Sequence, residues 1–154
     1  MATSEPVTIL LVEDDLGHAR LIEKSLRRSR ITNELLKFDN GQEVVDYLFS
    51  QLENSEDTLS HPALILLDLS LPILDGFQVL ERLKADDRTQ HIPVIVLTTM
   101  DVPDQINRCY DLGCSLYLTK PVRYEEFAEA IEKLGFFLSI VSAPASQPKT
   151  LSQT

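Results

Sequence analysis

The sequence predicts an α/β fold of the (βα)5 type: one five-stranded parallel sheet, doubly wound, with helices on both faces. Three features point there. The runs Val7 to Val12, Ala63 to Leu67 and Val94 to Leu97 are almost uninterrupted in apolar character, as strands covered on both faces must be. Stretches with apolar residues at helical spacing follow them, so strand and helix alternate along the chain. The 154 residues, 44% of them hydrophobic, suffice for the core of one domain.

The elements follow in order. Val7 to Val12 is a strand, and Asp15 to Arg28 is a helix with Leu16, Ala19, Ile22 and Leu26 in period. Glu34 to Phe38 makes a weaker strand, and Asn40 caps a second helix whose Val44, Val45, Leu48 and Leu52 share one face. The polar segment Glu53 to Pro62, ENSEDTLSHP, ends in proline and reads as a loop. Ala63 to Leu67 is the third strand, followed by a helix through Phe77, Val79, Leu80 and Leu83. Pro93 introduces the β-branched strand Val94 to Leu97. Asp101 is placed to cap a helix running to about Leu112 and ended by Gly113, and Ser115 to Thr119 completes the sheet. Tyr124 to Leu138 is the last helix, with Phe127, Ala130, Ile131, Leu134 and Phe137 or Leu138 as its apolar positions. The remainder, SAPASQPKTLSQT, has no means of building a core. The expected organisation is a tail over 1–6, one domain over 7–140 and a flexible tail over 141–154.

A formal net charge of -10, with 24 acids against 14 Lys and Arg, excludes the basic footprint of a nucleic-acid binder and favours a basic partner or a bound cation. Arg27, Arg28 and Arg30 are the one basic cluster and read as a solvated helix end favoured by the dipole. The start MATSEPVTILL lacks the pattern of a secretory signal, and no apolar run approaches the ~20 residues that span a bilayer. Cys109 and Cys114 match no metal-ligand or CxxC spacing, so they read as reduced thiols in a cytoplasmic protein. His18, His61 and His91 are scattered and read as surface or loop residues.

In doubly wound sheets the site lies beyond the carboxyl ends of the strands. Here those ends carry Glu13-Asp14-Asp15, Asp68, Thr98-Thr99 and Lys120-Pro121. Carboxylates converging on one rim repel each other unless a cation sits among them, and hard oxygen ligands with open positions suit Mg²⁺. Lys120 supplies a fixed positive charge, and the Thr98 hydroxyl can bond a phosphoryl oxygen. Carboxylates act as nucleophiles in phosphoryl transfer, and Asp68, following the buried strand directly, is the best acceptor. Taken singly, each residue has a plainer role, as a helix-start acid, a capping hydroxyl or a solvated lysine.

Together, Glu13-Asp14, the segment Asp68-x-x-x-Pro72-x-x-x-Gly76, Thr98 thirty residues beyond Asp68 and Lys120-Pro121 twenty-two beyond Thr98 carry a resemblance. Over Val7 to Leu138 the chain resembles the receiver domain of bacterial response regulators, a flavodoxin-like fold of two-component signalling. The resemblance implies that Asp68 accepts a phosphoryl group from a phosphohistidine on a sensor histidine kinase. It also implies Mg²⁺ held by Asp14, Asp68 and the backbone carbonyl of Ser70, with Glu13 orienting a metal-bound water. Lys120 would reach the phosphoryl oxygens, and Thr98 and Tyr117 would form the switch. Such a protein is a phosphoacceptor rather than an enzyme, with its own Mg²⁺-dependent phosphorylation and dephosphorylation. Pro72 and Gly76 would serve the turn, Gly76 through a positive φ angle.

About sixteen residues follow the last helix, too few to fold alone, so the expectation is a stand-alone regulator or a phosphorelay shuttle. The long loop before the third strand, Leu97-Thr98-Thr99, Tyr117-Leu118-Thr119-Lys120-Pro121 and Phe136-Phe137 look most like single-domain regulators paired with bacterial phytochrome kinases. That likeness implies a homodimer, and a downstream phosphotransfer protein is a further partner to consider. Thr99 replaces the family's usual alanine. Met100 and Ser70 flank the path of hydrolytic water in the family, and apolar Met100 is expected to slow dephosphorylation. Three other readings fit less well. An aspartyl-phosphate hydrolase would need a second acid two residues beyond Asp68. A nucleotide or flavin binder would need a glycine-rich first turn. A degenerate receiver would not be expected to keep Asp14, Asp68, Thr98 and Lys120 together.

Overall fold

The computed structural model describes residues 6–54, 63–99 and 101–135. Five strands and five helices alternate: β1 (Thr8–Val12), α1 (Leu16–Arg28), β2 (Leu35–Phe38), α2 (Gly41–Asn54), β3 (Ala63–Leu67), α3 (Gly76–Lys84), β4 (Val94–Thr98), α4 (Pro103–Asp111), β5 (Leu116–Thr119) and α5 (Tyr124–Gly135). The strands are all parallel in the order β2-β1-β3-β4-β5, so the (βα)5 fold is the one expected.

Strands β3 and β4 are buried along their whole length, and β1 along all but its first residue, because their alternate residues serve two cores. Leu10, Val12, Ile65, Leu67, Val94 and Val96 pack with Val44, Val45 and Leu48 of α2, Val79, Leu80 and Leu83 of α3, and Cys109 of α4. Ile9, Leu11, Leu64, Leu66, Ile95 and Leu97 pack with Ala19, Ile22 and Leu26 of α1 and with Phe127 and Ala130 of α5. The strand period of two thus deals successive side chains to opposite layers.

The helix ends show what was legible and what was not. Asn40 caps α2 as expected, its Oδ1 accepting from the Glu43 amide at 2.9 Å. Asp15 caps α1 and Asp75 caps α3 through a reciprocal capping box with Gln78. Asp101 does not cap α4: its first residue is Pro103, whose fixed φ and missing N–H suit that position, so the cap falls on Val102 without a side-chain hydrogen bond. Gly113 ends α4 at φ 107, with the Cys114 and Gly113 amides donating to the Cys109 and Tyr110 carbonyls. The same pattern ends α1, where Arg30 takes the left-handed position at φ 67.

The arginine cluster at that end is more than a solvated surface. Arg27 Nη1 donates to the Ile31 and Asn33 carbonyls, and the Arg28 guanidinium lies 4.4 Å over the Tyr124 ring. Helix α2 runs through Asn54, two residues into the segment read as a loop. The rest of that loop with His61, Met100, Phe136, Phe137, Leu138 and the tails over 1–5 and 141–154 lie outside the described residues. Cys109 and Cys114 are free thiols, both buried.

Gly76 does not use a positive φ; the left-handed residue of that turn is Ile73, at φ 68, with the Leu74 amide donating to the Pro72 carbonyl at 2.7 Å. Gly76 is required by proximity instead. A Cβ there would lie 2.5 Å from the Asp68 carbonyl oxygen and 2.7 Å from Leu69 Cα, both backbone atoms that cannot swing aside. Gly76→Ala is therefore expected to lower stability by about 1–3 kcal/mol in urea unfolding, a cost typical of overpacking.

Candidate functional site

The order of strands reverses between β1 and β3, since β1 leads outward to β2 while β3 leads the other way to β4 and β5. A crevice forms at such a switch point, and the acids stand on its rim. The Glu13 amide donates to Phe38 and the Asp68 amide to Val12, which ties both residues to neighbouring strands just past the sheet's last pairs. The two carboxylates consequently have little freedom to move apart.

Glu13, Asp14 and Asp68 each place one carboxylate oxygen within 4.8 Å of the others. Glu13 and Asp68 are buried and Asp14 is exposed. The Lys120 ammonium reaches into the cluster, bonding Glu13 Oε1 and lying 3.5 Å from Asp68 Oδ2. Side-chain exposures of 1% for Glu13 and 8% for both Lys120 and Asp68 put this charge group almost out of water. Asp68 Oδ1 also accepts from the Leu69 amide at 2.9 Å. Burial pushes the Glu13 carboxyl above its ordinary range; the Lys120 hydrogen bond and the Asp15 amide pull it back, and the Asp68 charge pushes it up again.

Thr98 ends β4 fully buried, and its carbonyl accepts from the Lys120 amide at 2.9 Å. Tyr117 pairs in register with Val96, two residues before Thr98, so Thr98 and Tyr117 share a sheet face. Burial, and then the charges of Cys109, Asp101, Cys114 and Asp68, push the Tyr117 phenol up to about 12, which keeps its proton on. Ser70 stands exposed on the loop two residues past Asp68. The rim thus brings Glu13, Asp14, Asp68 and Lys120 together, with Thr98 beside them.

His18 is the residue that sequence reasoning missed. It is not a free surface histidine: its Nδ1 lies 3.1 Å from Lys120 Nζ and 3.9 Å from Glu13 Oε1. Its place in the first turn of the helix that leaves the acidic rim was the available signal. A groove of about 240 Å³ runs beside it, lined by His18, Leu21, Ile22, Thr99, Pro121 and Val122.

The profile of the response regulator receiver domain matches residues 9–132. The chain belongs to this family. Among its relatives, a receiver domain from Rhodospirillum rubrum of known structure is 44% identical, with a TM-score of 0.71, over 89% of this chain and all of that one. The receiver is also similar to the response regulator Rcp1 of Synechocystis, at 34% identity over 94% of this chain and 97% of Rcp1. A structure of Rcp1 in its Mn²⁺-bound form superposes with a TM-score of 0.68. The phosphorylated cyanobacterial phytochrome response regulator RcpA is 35% identical over 87% of this chain and 94% of its own, with a TM-score of 0.69. As in this family generally, the receiver is a signalling protein. Among the described residues, no helix is long and apolar enough to cross a membrane.

The donor set fits a divalent cation: three carboxylates and a single ammonium leave a net negative cluster of hard oxygens. Because burial raises the Glu13 value, the stability Glu13 contributes is full below its unfolded pKa and lost as pH rises through the folded one. Without metal, the melting temperature of the wild type is expected to fall with rising pH more steeply than that of Glu13→Gln. Mg²⁺ at about 100 times its Kd should stabilise the wild type by about 2.7 kcal/mol. Thermal melts of Glu13→Gln and Asp14→Asn should show smaller gains.

Proposed function

We propose that this receiver takes a phosphoryl group on Asp68 from the phosphohistidine of a sensor histidine kinase, and that the modified state changes which partner it binds. The observation that carries this reading is the Asp68 carboxylate, nearly desolvated at the end of the central strand, beside a lysine and within a triad of acids. In the transfer, an Asp68 carboxylate oxygen attacks phosphorus and the P–N bond to the imidazole breaks. Its products are an aspartyl phosphate and a histidine on the kinase. Lys120 is the cation positioned for the phosphoryl oxygens, and the Thr98 hydroxyl is the neighbouring donor.

Asp14 and Asp68, with the Ser70 carbonyl, would hold Mg²⁺, and Glu13 would orient water on it; the ion would offset the acids and polarise the incoming phosphoryl group. Thr98 and Tyr117 would carry the switch: the threonine moves toward the phosphoryl oxygens and the protonated phenol follows it inward. The similarity to the phytochrome response regulator RcpA supports a kinase of the bacterial phytochrome type. We further propose a cytoplasmic homodimer with the receiver over 7–140, flanked by tails, that ends a relay or hands the phosphoryl group to a phosphotransfer protein.

Intact mass after incubation with Mg²⁺ and acetyl phosphate tests the reading. One added phosphoryl group, labile to hydroxylamine, is expected on the wild type and none on Asp68→Asn; modification of both proteins alike defeats the assignment. Met100→Glu is expected to release phosphate faster than the wild type, because a carboxylate can position the hydrolytic water that a thioether cannot. Equal lifetimes would remove Met100 from the account.

A further inference from the structure

We propose that His18 is a positioning residue for the reaction, holding the Lys120 ammonium at the mouth of the acid cluster. The proposal rests on the reading of Asp68 as phosphoacceptor, and its geometry is local to α1 and the end of β5.

An ammonium is a compact point charge with three protons on a flexible four-carbon stem, and it has no acceptor capacity of its own. The Lys120 side chain is only 8% exposed, so protein groups must take those protons. The structure supplies three acceptors. Glu13 Oε1 is the nearest, Asp68 Oδ2 lies at 3.5 Å, and His18 Nδ1 lies at 3.1 Å. Since the lysine only donates, Nδ1 presents its lone pair and the ring proton sits on Nε2.

The two carboxylates draw the ammonium unequally, with Glu13 holding it closer than Asp68 does. His18 gives the ammonium a further acceptor from the α1 side, and it is itself held in place. Its backbone amide donates to the Asp15 cap at 2.9 Å, which fixes the first turn of α1 against the strand end. Its ring lines the apolar groove with Leu21, Ile22, Pro121 and Val122. The lysine is thereby held by Glu13 and His18 with Asp68 Oδ2, the carboxylate on which a phosphoryl group would arrive, 3.5 Å away.

Asparagine and leucine separate this role from simple packing. The Asn Oδ1 falls near the position of imidazole Nδ1 and accepts a hydrogen bond, whereas leucine fills similar space without an acceptor. At 43% side-chain exposure, position 18 tolerates both without loss of the fold, which thermal melts check. In the metal-free full chain labelled with ¹⁵N, wild type and His18→Asn are expected to show a slowly exchanging Lys120 Nζ signal, assigned by its absence in Lys120→Met. His18→Leu should lose that signal, and the wild-type His18 resonances should place the proton on Nε2.

With Mg²⁺ and acetyl phosphate, followed by intact mass, His18→Leu should load about tenfold more slowly, as expected for one lost charge-assisted hydrogen bond, and His18→Asn within about twofold of wild type. Equal loading by wild type and His18→Leu, or equal slowing of both variants, would overturn the proposal. So would a ring proton on Nδ1. If the wild type takes no phosphoryl group, the phosphoacceptor reading fails by itself, and the Lys120 signal still decides for or against His18.

Discussion

Two carboxylates almost out of water share one ammonium at the point where the sheet changes direction, and the surrounding structure answers to that arrangement. Burying Glu13 and Asp68 together would be prohibitive without Lys120 between them. Holding the three in register requires strands that cannot slip. A one-residue slip in β1 or β3 would move leucines from one core to the other and break both, so the hydrophobic pattern is also what aims the acids. Lys120 is fixed by the same means, its amide bonded to the Thr98 carbonyl at the end of β4.

The loop after Asp68 shows the cost of that precision. Ile73 is β-branched, 76% exposed and at φ 68, a combination that costs on the order of 1 kcal/mol or more. The turn persists because its neighbours over-determine it. Leu74 is buried in the core, the Gly76 amide donates to the Leu69 carbonyl, and the missing Cβ atoms of Gly41 and Gly76 let the Leu74 carbonyl and the Asp68-Leu69 backbone pack directly against them. Strain at an exposed isoleucine is thus sustained by packing beneath it, and the beneficiary is the position of Asp68.

Most of this architecture was legible in the chain. β1, β3 and β4 are uninterrupted apolar runs because both faces are covered, and the acids follow those runs directly, so the rim could be assembled on paper. The half-buried strands β2 and β5 are shorter and less apolar, and each begins one residue later than its sequence pattern implies, as β1 also does. The start of α4 went to Asp101 because capping preference is a local rule, whereas the fixed φ of Pro103 decided the register. Gly76 was read through its conformational freedom, but its role depends on a backbone 2.5 Å away that no local pattern encodes. His18 escaped for the same reason. Its partners stand five and 102 positions away, and only the fold makes them neighbours.

The alternation that divides the strands between two cores has a consequence for how information can leave the rim. Thr98 and Tyr117 face the layer of α2, α3 and α4, while His18 and the Lys120 groove face α1 and α5. The layers meet side chain to side chain nowhere along the central strands; a single thickness of backbone separates them. An event at Asp68 would therefore have two outlets, joined where the Lys120 amide donates to the Thr98 carbonyl.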